Sequence, residues 1–186
     1  MTNRIDSNPS YLTHVCFSYE STFYLNGEVN RSNMRYRSDV NPHVFREGHS
    51  QYPEKRKVWA GIMGNHIVGP LFIEGNLNGQ QYLDMLEDLI HPLIVEIAEA
   101  HPDEFTENIV FQQDGAPSPA WCTDHHYRNR WIGRKSPTEW PACSPDLTPT
   151  YLKSQVYSTP PQNLADLRQK IIDGCRGISV ETFGRA

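Results

Sequence analysis

Two apolar runs, Lys57 to Met63 and His66 to Ile73, flank the dipeptide Gly64-Asn65 and leave this stretch little conformational choice. Each run has the length and the β-branched content of a strand. A two-residue connection whose first member is glycine suits a tight hairpin, because glycine accepts positive φ at the first central position. Two antiparallel strands are expected here. The residues that follow switch period: Asn78 offers an N-cap with Gln81 three positions later. Tyr82, Leu86, Leu89, Leu93 and Ile97 then recur at three-to-four spacing, one apolar stripe on a helix that Pro92 should kink or split.

The hairpin and helix need partners, and the rest of the chain supplies candidates. His14 to Phe17 reads as a short buried strand at the centre of a sheet, with Thr22 to Leu25 continuing it after a bend. Asn108 to Gln113 is a fourth strand, stopped by Asp114-Gly115-Ala116-Pro117. After an irregular stretch rich in Trp and Pro, Asn163 caps a last helix whose buried face is Leu164, Leu167, Ile171 and Cys175, with Asp166 in its first turn. Asn26 to Pro53 is polar and punctuated by Gly and Pro, the mark of a long excursion. The 14 prolines fit a loop-rich globule of one domain, ordered over about residues 14–176.

A net charge of -5 removes any global electrostatic reason to bind nucleic acid, so such binding must be local. Cys16, Cys122, Cys143 and Cys175 show no repeated spacing, which suits reduced thiols in an intracellular protein. No apolar run approaches the roughly 20 residues that cross a bilayer, so a soluble protein is expected.

Four segments in order carry a resemblance: Phe17-Ser18-Tyr19-Glu20-Ser21; Val58-Trp59-Ala60-Gly61; Phe111-Gln112-Gln113-Asp114-Gly115-Ala116-Pro117; and Trp140-Pro141-Ala142-Cys143-Ser144-Pro145-Asp146-Leu147-Thr148-Pro149. From Val15 to Ile172 the chain resembles the catalytic domain of mariner-like DDE/D transposases. The resemblance implies an α/β, ribonuclease-H-like mixed sheet flanked by helices, here truncated in its C-terminal helical part. No basic helix-turn-helix module precedes Tyr11. It also implies a nuclear, transposon-derived protein whose ancestor cut and joined DNA with two Mg²⁺ or Mn²⁺ ions held by three acids.

Those acids map unevenly. The second falls on Asp114, whose plain reading without the resemblance is an Asx-turn residue at a strand end. The first falls on Tyr19, where the family pattern is Phe-Ser-Asp-Glu-Ser; a phenol protonated up to about pH 10 is a poor magnesium ligand. Glu20 and Asp146 are the remaining candidate metal oxygens. Glu20, however, should point to the opposite face of its strand, and Asp146 reads as a Pro-Asp turn residue. The third acid should follow the Ser-Pro-Asp-Leu segment, but Thr148-Pro149-Thr150 runs directly into Tyr151-Leu152-Lys153 and its place is deleted. One carboxylate cannot offset the dehydration of two hard cations. The expectation is an inactive copy that does not hold the metal tightly.

Local cations remain. Arg31, Arg35 and Arg37 form one group, and Arg128, Arg130, Arg134 and Lys135, interleaved with Tyr127 and Trp131, form another. Both suit phosphate contact and weak, non-specific DNA binding, though with Glu28, Asp39, Glu47 and Asp124 nearby an ordinary charged surface is equally open. The alternative function is a non-catalytic module that pairs with intact transposase subunits. Cys122, His125, His126 and Cys143 offer zinc-type donors, but no second paired motif stands at finger-like distance, and loop histidines with a packed thiol are the plainer reading.

Overall fold

The computed structural model describes residues 11–27, 54–105, 108–113, 126–133, 136 and 147–178. Five strands form one mixed sheet in the order β3-β2-β1-β4-β5. They are β1 (Val15–Tyr24), β2 (Lys55–Met63), β3 (His66–Ile73), β4 (Val110–Gln112) and β5 (Trp131–Ile132). Strands β1 and β3 each run antiparallel to β2, whereas β4 runs parallel to β1 and β5 parallel to β4.

The hairpin is as expected: Met63 pairs with His66, and Gly64 takes φ +56. Gly64 has a second reason to lack a side chain, since a Cβ there would come within 3.1 Å of the Phe105 ring. Further along, the β2–β3 register shifts between Trp59 and Gly61. Gly69 and Pro70 stand at that bulge, where an extra residue and a missing N–H are tolerated.

Strand β1 differs from expectation. It runs unbroken for ten residues, without the bend foreseen before Thr22. Ser18, Glu20 and Ser21 interrupt its apolar pattern, but β2 pairs with it from Cys16 to Tyr24 and holds the polar middle extended. Partner strands supply what local pattern lacks.

On one face lie α1 (Gly79–Met85), a π-helical turn (Leu86–Ile90) and α2 (His91–Ala100). The capping box at Asn78 and Gln81 is present in both directions, at 2.9 and 3.0 Å. The α-helical run is divided just ahead of Pro92, which stands in the first turn of α2, in keeping with the expected break. A proline ring collides with the carbonyl four residues back, and the wider π turn immediately before it relieves that contact. The extra residue also rotates the stripe. Tyr82, Leu86, Ile90 and Ile94 are buried, and Leu89, expected inside, is 48% exposed. Leu93 and Ile97 pack only at the margin of the core. This stripe meets Cys16, Trp59, Met63 and Phe111 of the sheet.

On the other face lie α3 (Leu147–Val156) and α4 (Leu164–Arg176). Asn163 caps α4 through its side-chain oxygen, and Leu167, Ile171 and Cys175 are buried as expected. Helix α3 was not foreseen. Its inward residues, Leu152 and Val156, join Phe23, Val58, Leu167 and Ile171 in a second core, each large side chain worth roughly 1.5–3 kcal/mol of burial. A close approach of α3 to α4 is permitted by Gly174, where a Cβ would stand 2.8 Å from Leu152. Strand β5, two residues long, is likewise beyond sequence pattern.

Candidate active site

Alternation along β1 decides which side chains could gather around a reacting group. Phe17, Tyr19, Ser21 and Phe23 face α3 and α4; Cys16, Ser18 and Glu20 face the α1–α2 layer. Tyr19 pairs with Ala60 and Glu20 with Trp59. The Glu20 carboxylate lies close enough to Tyr82 of α1 that, after burial itself, its charge is the next cause raising the Tyr82 phenol above its ordinary range. Tyr19 and Glu20 therefore serve opposite sides of the sheet.

The parallel ladder of β1 and β4 runs from Val15–Val110 to Phe17–Gln112. One step further, the side chain of Gln112 replaces a backbone partner: its Oε1 accepts from the Ser18 N–H at 3.1 Å, in a buried setting. Gln113 continues towards β5, donating its N–H to the Ile132 carbonyl at 2.8 Å. Partner residues on this ladder keep a constant difference in number, and Tyr19 and Asp114 differ by the same amount.

The face carrying Tyr19 is apolar. A cavity of about 40 Å³ lies between Phe17, Tyr19 and Ser21 of β1, Leu152 of α3, and Cys175 and Ile178 at the end of α4. Burial pushes the Cys175 thiol up to about 11, so it stays protonated and unreactive near neutral pH. The Ser21 hydroxyl is buried without a hydrogen-bond partner. Helix α3, Leu-Thr-Pro-Thr-Tyr-Leu-Lys-Ser-Gln-Val, contains neither aspartate nor glutamate. Among the described residues no group of three His, Cys, Asp or Glu side chains is placed to hold a metal ion.

Asp114, Asp146, Arg31, Arg35, Arg37, Arg134 and Lys135 lie outside the described residues, as do Cys122, His125 and Cys143. Arg128 is exposed on the turn before β5. Arg130 is engaged with the fold: its Nη1 donates to the Ile109 carbonyl at 3.2 Å. His126 packs its ring on His91, centroids 4.5 Å apart, and its Nε2 stands 3.7 Å from Glu87. Desolvation first, then His126 and Arg130, hold His91 below its ordinary pKa, so it is neutral at pH 7. Sequence reasoning missed the apolar cavity, because its walls come from β1, α3 and α4 at once.

No family model matches this chain, and no curated protein does. Solved structures do. The chain superposes on a pre-cleavage Mos1 transpososome with a TM-score of 0.68 at 13% identity, covering 98% of this chain and 54% of that one. Against the Mos1 strand transfer complex the TM-score is 0.66 at 13% identity, with 98% and 53% covered. Against the Mos1 mariner paired-end complex with Mn it is 0.63 at 16%, with 98% and 54% covered. The chain spans about half the length of these neighbours. The likeness shows the fold: a ribonuclease-H-like mixed sheet with flanking helices, as the sequence motifs led us to expect.

Proposed function

We propose that this chain is a mariner-like transposase scaffold that has lost its metal-dependent chemistry and retains weak, non-specific contact with DNA. The observation that carries the reading is the donor set on the Tyr19 face. Where the family pattern has its first aspartate, this strand presents a half-buried phenol, and the helix after the Ser-Pro-Asp-Leu segment carries no carboxylate. The matching offsets of the β1–β4 ladder and of Tyr19 and Asp114 support assigning those two positions to the first and second acids.

The described residues do not fit two divalent ions. Mg²⁺ and Mn²⁺ are hard cations that shed water only when several charged oxygens replace it. The space beside Tyr19 instead offers carbon, a protonated thiol and one hydroxyl. An ion moved there would lose hydration without compensation. A nuclear location follows from the same reading and stands or falls with it.

Supercoiled plasmid incubated with the pure protein and either Mg²⁺ or Mn²⁺ should stay supercoiled at the rate of a protein-free control. Nicking that disappears in Asp114→Ala would overturn the loss of chemistry, because it would make that carboxylate part of a working site.

A further inference from the structure

The cavity between the sheet and the α3–α4 layer combines a carbon wall with one unsatisfied polar group. Phe17, Tyr19 and Ser21 of β1 line it on the sheet side, Leu152 comes from α3, and Cys175 and Ile178 come from the end of α4 and just beyond it. Its surface is almost wholly apolar. Ser21 is the exception. It is 8% exposed, stands opposite Val58 in the β1–β2 ladder, and keeps its Oγ enclosed with no hydrogen-bond partner. A buried hydroxyl left in that state forfeits the hydrogen bonds that water would give it, and most buried hydroxyls avoid the loss by pairing.

Size and chemistry together narrow what the cavity can take. About 40 Å³ is room for roughly three groups the size of a water molecule. Water itself suits the space badly. A buried water is normally held by about three hydrogen bonds, and this wall offers little besides the Ser21 hydroxyl and the Cys175 thiol, a weak donor that stays protonated at neutral pH. A charged guest would shed its hydration and meet no counter-charge, since among the described residues no Lys, Arg, Asp or Glu lines the cavity. A purely apolar guest would cover the carbon wall and leave Ser21 unpaired. A small carbon body bearing one hydroxyl answers both features.

We propose that this cavity is a binding site for a short-chain alcohol, whose hydroxyl pairs with Ser21 Oγ while its carbon chain lies against Phe17, Leu152 and Ile178. The site needs neither metal nor DNA, so it goes beyond the reading above and does not rest on it. Strand β1 and helices α3 and α4 each supply part of the wall, so the site exists only in the folded chain. With about three non-hydrogen atoms in contact, even the best efficiency that small ligands reach gives binding of about millimolar strength.

The test is two-dimensional NMR of the whole chain titrated with ethanol, and separately with xenon as a guest that has no hydroxyl. Ethanol should give saturable shifts confined to residues of the cavity wall, and it should displace xenon, because both occupy the same space. Ser21→Ala removes an unpaired group and should leave the fold intact. It should weaken ethanol about threefold to tenfold, the difference one hydrogen bond makes, and leave xenon unchanged. Cys175→Leu adds bulk to the wall and should abolish both; if that variant fails to fold, the competition and Ser21→Ala still decide. Shifts that grow without saturating, or that spread over the surface, would mean an adventitious additive only and overturn the site. Ethanol binding unchanged in Ser21→Ala overturns the pairing with Ser21, and xenon binding without ethanol binding overturns the assignment to an alcohol.

Discussion

Trp59→Ala should lower the stability of the fold by about 3–5 kcal/mol, the range for truncating a fully buried large aromatic residue. Trp59 is completely enclosed, on the β2 strand that bridges β1 and β3, and packs with Cys16, Met63, Tyr82 and Leu86. Its ring occupies room that the chain keeps open for it: a Cβ on Gly61 would stand 3.2 Å from the indole and 3.1 Å from the Cys16 sulfur. Relaxation into the vacated space is limited, because helix, π turn and sheet all close on it. The indole N–H is buried without a partner. Trp59→Phe removes that unsatisfied donor along with part of the ring, and should therefore cost far less than alanine. Urea unfolding followed by far-UV circular dichroism separates the two, and equal losses for Phe and Ala would contradict this account of the core.

Restoring the family residue at position 19 should harm the chain without reviving it. Tyr19→Asp places a carboxylate beside Phe17, Leu152 and Cys175, where the described surroundings are apolar. We expect a loss of roughly 2 kcal/mol at pH 7, the scale for moving a charged or polar group into largely apolar surroundings. The pH dependence has a definite sign. Burial would raise the folded-state pKa of this aspartate above its unfolded value of about 3.9. The deficit should thus be smallest below pH 4 and grow as pH rises through the folded pKa. Plasmid nicking in Mg²⁺ should stay at background, since α3 still brings no acid to that face. Metal-dependent nicking by this single variant would show that the remaining oxygens suffice.

What was legible in the sequence was local. The Gly64-Asn65 hairpin, the Asn78–Gln81 capping box and the Asn163-capped helix with its Leu167–Ile171–Cys175 face each depend on residues within a few positions of one another. What was missed depends on distant partners. Strand β1 stays straight through Ser18–Ser21 because β2 pairs with it throughout. The stripe of α1 and α2 rotates from Leu89 to Ile90 because a π turn accommodates Pro92, a shift no fixed helical period contains. Helix α3 shows only Leu152 and Val156 as an apolar pair, and its stability comes from the core it joins.

The candidate site divides in the same way. Motif order alone placed Tyr19 and Asp114 at the first and second acid positions. The apolar cavity beside Tyr19 emerges only when β1, α3 and α4 assemble, since no spacing in the sequence links residues so far apart. Of the cation group that the sequence offered around β5, Arg130 is bound to a backbone carbonyl.

The central claim is that this scaffold no longer assembles a divalent-metal centre, and calorimetric titration of the whole chain with Mn²⁺, beside Asp114→Ala, tests it most directly. The account predicts no binding tighter than millimolar in either protein. Micromolar binding by the wild type that disappears in Asp114→Ala would contradict it, and would show that other oxygens complete a site around that carboxylate.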